Sequence, residues 1–451
     1  MGTIIQNQGC EGSGEGNISD YIRVAQQLRT GLDDNWSRVR MAALKTTRLL
    51  FQVPPPLGQS HESVYPILLP PLCLSRYYVA EGVKVYSQQT WCEVTGGRGR
   101  EILTRILEPT LEYFVEESRS ENHAVREAAC ACMAEVGIKL PRGDLRPHLN
   151  RLLGALTVCF KDQSWPVRDA ACIGLGNLVS VFPTETRAAG YADLMAERFL
   201  HNLVDCIPSV REGAAASIAK VLQGANDSEL EKMYLDFAEK QLDGIVDQPA
   251  DSKGAASMSR GPGANVVVRS GNEAHDEKHT NQVMYSCGSL ATRANKGKYS
   301  TCGGGCCMDD TFQRPSQLWE RADGAIRLIG EMGIYAPQKV TDRLLEKMVN
   351  AASLTHYPHH PYLLETACYT IKALCEGQQK SDFKRNLDFL LPVIAWAVST
   401  NQPLAVAAAE ECLATLSQVL GPSVLRSRIE GHLESTIVPR LLNFLPPSGS
   451  H

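Results

Sequence analysis

The sequence predicts an all-α fold, an α-solenoid of about eight stacked helix pairs interrupted by one long segment without regular structure. Three observations point there. A valine followed by a basic residue recurs at Val39-Arg40, Val83-Lys84, Val125-Arg126, Val167-Arg168 and Val210-Arg211, at intervals of 44, 42, 42 and 43 residues. Each copy opens a stretch with apolar residues at helical spacing. In Asp162–Val179, D-Q-S-W-P-V-R-D-A-A-C-I-G-L-G-N-L-V, the residues Val167, Ala170, Ala171, Leu175 and Leu178 share one face. After Gly244 the period stops, and residues 249–316 run through P-A-D-S-K-G-A-A-S, R-G-P-G-A-N and C-G-G-G-C-C with no sustained apolar face. A period of this length marks an array in which each unit completes its core only against its neighbours.

Taken in order, residues 1–18 are rich in glycine and read as a disordered tail. Residues 19–247 alternate a first helix with a Val-Arg helix through about five units. The first helices are expected over Ile22–Leu32, Val64–Tyr78, Ile102–Glu117, Leu149–Phe160 and Asp193–Val204. Pro70, Pro71 and Pro109, and later Pro392, should kink the helices that hold them. Residues 248–317 form a disordered insertion between the fifth and sixth units. The pattern resumes at Arg321, where Ile326 and Leu328 repeat the offsets of Ile173 and Leu175, and continues at Glu365 and near Ala405. That gives about three more units over 318–446, closed by a capping helix at Ile429–Leu445, with a tail at 447–451. Cys130 and Cys172 occupy one offset in adjacent units and read as small buried residues.

Composition narrows the class. With 43% hydrophobic and 21% charged residues, the 451-residue chain has the balance of a folded globular protein. A net charge of −5 gives no global field toward nucleic acid or anionic lipid, so neither is expected as a partner. The opening M-G-T-I-I-Q-N-Q lacks a signal-peptide pattern, and Gln6 stands where a myristoylation motif wants Ser or Thr. No apolar run is long enough to span a membrane. The fifteen cysteines lie mostly within helical patterns, which favours a reducing compartment, cytoplasmic with the nucleus also possible.

The two-helix unit, the proline-bearing first helix and the D-x-x-x-x-V-R start of the second resemble HEAT repeats. Asp34, Asp162 and Asp205 each stand five residues before their valine, whereas Tyr78 and Ser120 replace that aspartate in two units. The resemblance covers roughly 19–247 and 318–446. It is specific for fold and nearly silent on function, because such arrays serve unrelated systems; for want of any catalytic constellation, the expected role is a non-catalytic protein-binding scaffold or adaptor.

Candidate site residues follow from the repeat. Arg40, Lys84, Arg126, Arg168 and Arg211 would form a row in register. That row is either a basic ridge in a groove that grips an acidic peptide, or a set of pairs with neighbouring carboxylates that ties units together. Trp36 and Trp165 precede second helices in the intra-repeat turn. Each is either an edge anchor for a partner or a staple that closes its own turn. D-D-N-W-S-R-V-R-M-A-A-L also resembles the first repeat of TOG domains, which implies a tubulin- or microtubule-binding alternative.

Metal and enzyme readings find less support. Cys287, Cys302, Cys306 and Cys307 lack a second ligand pair for zinc, and His356, His359 and His360 lie in a Pro-broken stretch that reads as a solvated loop. A di-iron hydroxylase of the repeat type would need several His-Glu pairs, and only His61-Glu62 is present. There is no P-loop, G-x-S-x-G or H-E-x-x-H, and Gly174 and Gly176 are a helix-borne fragment of G-x-G-x-x-G. A repeat-lyase-like enzyme is the remaining catalytic alternative. No metal, cofactor or catalytic residue is expected.

Overall fold

A computed structural model of the chain describes residues 14–56, 60–224, 228–250, 315–400 and 402–445. The expectations for 1–13, 251–314 and 446–451, including Cys287, Cys302, Cys306 and Cys307, lie outside those residues. Every regular element among the described residues is helical. The chain divides after Val181 into two compact bodies.

The first body holds four helix pairs. They are α1 (Gly14–Leu32) with α2 (Ser37–Gln52), and α3 (Tyr65–Ser75) with α4 (Glu81–Thr95). Next come α5 (Gly99–Arg105) and α6 (Leu107–Glu117) with α7 (His123–Lys139), then α8 (Arg142–Leu145) and α9 (Leu149–Cys159) with α10 (Trp165–Val181). Helix α1 starts earlier than expected, because Tyr21, Ala25, Leu28 and Leu32 form a buried stripe that holds it down. Two expectations about proline separate here. Pro70 and Pro71 lie inside α3, whereas Pro109 ends up in the first turn of α6. The expected Ile102–Glu117 helix breaks at Ile106, since the Pro109 ring would collide with the carbonyl four residues back and offers no N–H to it. The core between layers is leucine-rich: Leu68, Leu72, Leu111, Leu152, Leu156, Leu175 and Leu178 are all fully buried. Glycine sets the α7–α10 spacing, for a Cβ on Gly137 would stand 2.9 Å from the Leu178 side chain. Burial of each such leucine contributes roughly 1.5–3 kcal/mol.

The second body also holds four pairs. They are α11 (Pro183–Ala188) and α12 (Tyr191–Leu203) with α13 (Pro208–Gly224), and α14 (Ser228–Gly244) with α15 (Leu318–Tyr335). After these come α16 (Asp342–Ala352) with α17 (His360–Gly377), and α18 (Lys380–Ser399) with α19 (Pro403–Leu420). The second helices stack in order, α13 on α15, α15 on α17 and α17 on α19. Backbones meet where glycine allows: a Cβ on Gly377 would lie 1.8 Å from the Gly333 carbonyl oxygen. The end of the stack differs from expectation. In place of one helix over Ile429–Leu445 there are α20 (Pro422–His432) and α21 (Val438–Leu442), with Pro439 starting the latter. A proline at that point cannot continue a preceding helix.

Helix α14 pairs with α15, so residues 251–314 separate the two helices of the sixth unit. The expected position between the fifth and sixth units is corrected accordingly. Gln248 ties the flanks together. Its side-chain oxygen accepts from the Trp319 N–H at 3.0 Å, and its backbone carbonyl accepts from His356 Nε2 at 2.9 Å. The Trp319 indole stacks on His359 at 4.8 Å with 3° between the planes, and buried His360 donates to the Ala352 carbonyl. His359 and His360 are therefore packed rather than part of a solvated loop, while His356 stays exposed.

Candidate partner surface

The arginines of the Val-Arg pairs share one local role. Arg40, Arg126, Arg168 and Arg211 each donate to the backbone carbonyl six residues earlier, on Asp34, Ser120, Asp162 and Asp205, at 2.7, 2.9, 3.0 and 2.8 Å. A guanidinium on the first turn of the second helix thus reaches back and satisfies the turn that enters it. Lys84 cannot make that fork; it is half-exposed, with Glu81 at 4.0 Å.

Beyond that bond the members diverge. Arg40 is fully buried beneath the Tyr78 ring, 4.4 Å from its centroid. Arg126 forks onto Asp162 of the next unit, at 2.7 and 2.8 Å. Asp162 therefore pairs with the preceding unit's arginine, while Arg168 takes only its main-chain carbonyl. Arg211 is buried against Asp323 at 2.8 Å, an oxygen that Arg327 also reaches at 2.8 Å. Burial raises the Asp323 carboxyl, but Arg327 and Arg211 more than offset it and hold the group down at about 2. A guanidinium enclosed in this way offers no face to a ligand. Arg40 and Arg211 are removed from the expected groove for that reason, and Arg126 is committed to tying two units together.

The two tryptophans differ as sharply. Trp36 is 75% exposed and Trp165 only 3%. Trp36 stands three residues before its valine and Trp165 two before its own. One residue turns a helix by about 100°, enough to carry a side chain from the solvent edge into the core. The Trp165 ring is buried and so is not offered to a partner, which corrects its reading as a partner contact. Trp36 is presented instead: the Asp34 carboxylate accepts from its backbone N–H at 2.7 Å and fixes the turn, while the ring extends outward.

Exposed apolar side chains continue from Trp36 along the second helices. Val39 and Leu49 on α2 are 42% and 41% exposed, and Val85 on α4 is 40%. On α2 the exposed positions Arg38, Ala42, Lys45 and Leu49 follow helical spacing, so one face looks outward. Helices α2 and α4 pack together. Arg48 fastens the pair, donating to Thr90 Oγ1 at 2.9 Å and lying 3.9 Å from the Tyr86 ring centroid. The sequence marks Val39 only as the valine of its repeat and does not single out Leu49 or Val85, since an apolar residue on a helical stripe reads as core.

Among the described residues no group of three or more His, Cys, Asp or Glu could hold a metal ion, and no helix is long and apolar enough to cross a membrane.

A model of the HEAT-like repeat matches residues 118–178, which take in α7, α8, α9 and most of α10. No curated protein matches the chain in sequence. Among solved structures it is similar to yeast importin-β (Kap95p), at 13% identity and a TM-score of 0.51, covering 98% of this chain and 45% of that one. It is also similar to the karyopherin Kap121p, in structures bound to the extreme C-terminus of the protein phosphatase Cdc14p and to the SUMO protease Ulp1p. Both share 12% identity and a TM-score of 0.51, covering 92% and 91% of this chain and 35% of each karyopherin. The chain thus spans less than half the length of these structures, and at such identity the likeness concerns the fold. The chain has the fold of an α-solenoid, with a HEAT-like repeat at residues 118–178.

Proposed function

We propose that the protein is a non-catalytic scaffold or adaptor that binds another protein through the outward face of its first two units. The exposed Trp36 carries this reading. A tryptophan held 75% in solvent by a capped turn, with Val39 also exposed in the first turn of the helix it precedes, has the make-up of a binding hot spot. Lys84 and Arg38 add charge at the rim, where it favours encounter and specificity more than affinity. The Kap121p structures, in which a karyopherin of similar fold is bound to the extreme C-terminus of Cdc14p and to Ulp1p, support the mode of use. The compartment consistent with this role is the cytoplasm or nucleus. The test places a photo-reactive phenylalanine analogue at position 36 and, as control, at Val158, a 69% exposed site on α9. Irradiation in native lysate should give discrete cross-linked proteins from position 36 above those from 158. Equal, diffuse products at both positions would defeat the reading.

The second reading is a TOG-like tubulin- or microtubule-binding module, favoured by the presence of this tryptophan in the turn of the first unit. Co-sedimentation with microtubules, and its loss in Trp36→Ala, would distinguish it from other partners.

A further inference from the structure

Two cysteines of the first body meet in the seam between α3 and α7, which pack together. Arg76, at the C-cap of α3, donates from Nη2 to Glu135 Oε2 of α7 at 2.5 Å. Cys73 and Cys132 stand three residues before Arg76 and Glu135, so each lies one turn from the ion pair on the same face of its helix. The ion pair thereby brings the two thiols together, and Cys132 donates to Cys73. The same Arg76 Nη2 also donates to Cys73 Sγ, at 2.9 Å. Donation from Cys132 and the charge of Arg76 hold the Cys73 thiol below its ordinary range in spite of burial, whereas burial pushes Cys132 well up. One sulfur is thus prepared as a thiolate with a second against it. A neighbouring pair is arranged differently. Cys130 and Cys159 also meet, across α7 and α9, but Cys159 donates to the Ser118 carbonyl at 3.3 Å, and Arg126 directs Nε and Nη2 to Asp162.

Neither Cys73 nor Cys132 has exposed surface, and the Arg76 and Glu135 side chains beside them are each only 13% exposed. A seam this closed admits a molecule little larger than water and excludes a bulky oxidant such as glutathione disulfide.

We propose that Cys73 and Cys132 are a peroxide-sensitive dithiol that closes to a reversible disulfide between the second and third units. Hydrogen peroxide is the oxidant. The Cys73 thiolate attacks one peroxide oxygen, and the S–O bond forms as the O–O bond breaks. This leaves a sulfenic acid and a hydroxide, which takes up a proton to become water. The Cys132 sulfur then attacks the Cys73 sulfur, and the S–S bond forms as the S–O bond breaks. The departing hydroxide leaves with the Cys132 proton as a second water. Two thiols lose two electrons and two protons, and the peroxide is reduced to two waters. A thiol reductant reverses the change. The inference rests on the thiols and is independent of the partner reading.

The test treats the reduced full chain with hydrogen peroxide at neutral pH, quenches in denaturant with an alkylating reagent, and maps unreduced peptides by mass spectrometry. A Cys73–Cys132 linked peptide should accumulate about tenfold faster than any Cys130–Cys159 link and disappear with dithiothreitol. Oxidation of exposed Cys92 with Cys73 and Cys132 both alkylated would overturn the proposal. In Cys132→Ser, Cys73 should stop at the sulfenic acid, captured by dimedone included in the quench; no adduct on Cys73 would remove it as the attacking thiol. Arg76→Gln should slow the link about tenfold, whereas Glu135→Gln, which breaks the same ion pair but leaves Arg76 on Cys73, should not. Loss of fold would expose both thiols and speed the reaction, so slowing in Arg76→Gln reports the cation. A rate unchanged by Arg76→Gln, or slowed equally by Glu135→Gln, would overturn the assignment of Cys73 as the prepared thiol.

Discussion

Helices α10 and α2 open on the same valine-arginine pair, yet no residue of α10 from Trp165 to Val181 is exposed, whereas the α2 region leaves Trp36, Val39 and Leu49 in solvent. The arginines do not make the difference, since Arg40 is as buried as any residue of α10. What differs is the position of the tryptophan relative to the valine, and what packs outside. Helix α10 meets α7 along its length, with Val167, Ala171, Leu175 and Leu178 in the seam. Helix α2 packs on α4, its neighbouring second helix, less extensively than α10 packs on α7. The motif therefore specifies a folded turn and a core stripe. Whether its remaining face is buried or left in solvent depends on how closely the neighbour packs.

The largest expected effect lies on the α10 side. Leu175→Ala should cost about 2–5 kcal/mol, because the side chain is fully buried between helices that cannot close the gap. Loss should be greatest in the units on either side, since neighbouring repeats share one core. Denaturant unfolding indistinguishable from the parent would show that the seam is misassigned.

Asp162→Ala should come next, at about 1–3 kcal/mol. It removes the cap on the Ser164 N–H and leaves the Arg126 guanidinium, part-buried, without its carboxylate. Reversing Arg126, Arg168 and Arg211 together to Glu should disturb helicity before it disturbs any partner. Circular dichroism on the triple variant checks this, and a folded protein that had lost only binding would restore the ridge reading.

A smaller effect should appear with pH. Burial raises the Glu127 carboxyl to about 7, with Lys84 lowering it in part. A folded-state value above the ordinary value of about 4.3 means that the folded form holds its proton more tightly. That contribution is complete below the unfolded value and is lost as pH rises through about 7, so the first body should weaken between those limits. Glu127→Gln should flatten the decline, as chemical denaturation at several pH values would show. An unchanged slope would assign the titration elsewhere.

The part of the fold visible in the sequence was the part in which one residue type recurs for one reason. Val83, Val125, Val167 and Val210 are buried, and their period located the second helices. Helix α14 was missed because it has no Val-Arg opening and buries only Tyr234, Ala238 and Leu242, too sparse a stripe to register as a unit. The insertion was consequently assigned one helix too early. In the site, the arginines were legible as candidates but not in their role. A bond to a main-chain carbonyl six residues back leaves no trace in side-chain spacing, and the Asp162 partner lies in another unit. The tryptophans looked equivalent by neighbourhood; only their offsets from the valine, three residues against two, carried the distinction.

The smallest expected change in stability is also the most informative. Trp36→Ala and Trp165→Ala should be compared on one preparation for thermal unfolding and for capture of partners, quantified by mass spectrometry and by microtubule sedimentation. Trp36→Ala should shift stability by no more than about 0.5 kcal/mol and lose the captured partner, because the ring is exposed and held by its turn alone. Trp165→Ala should cost about 3–5 kcal/mol, because its ring is buried in the core. A Trp36→Ala protein that folds as the parent does and captures the same partners at the same level would contradict the assignment of this face as the docking surface.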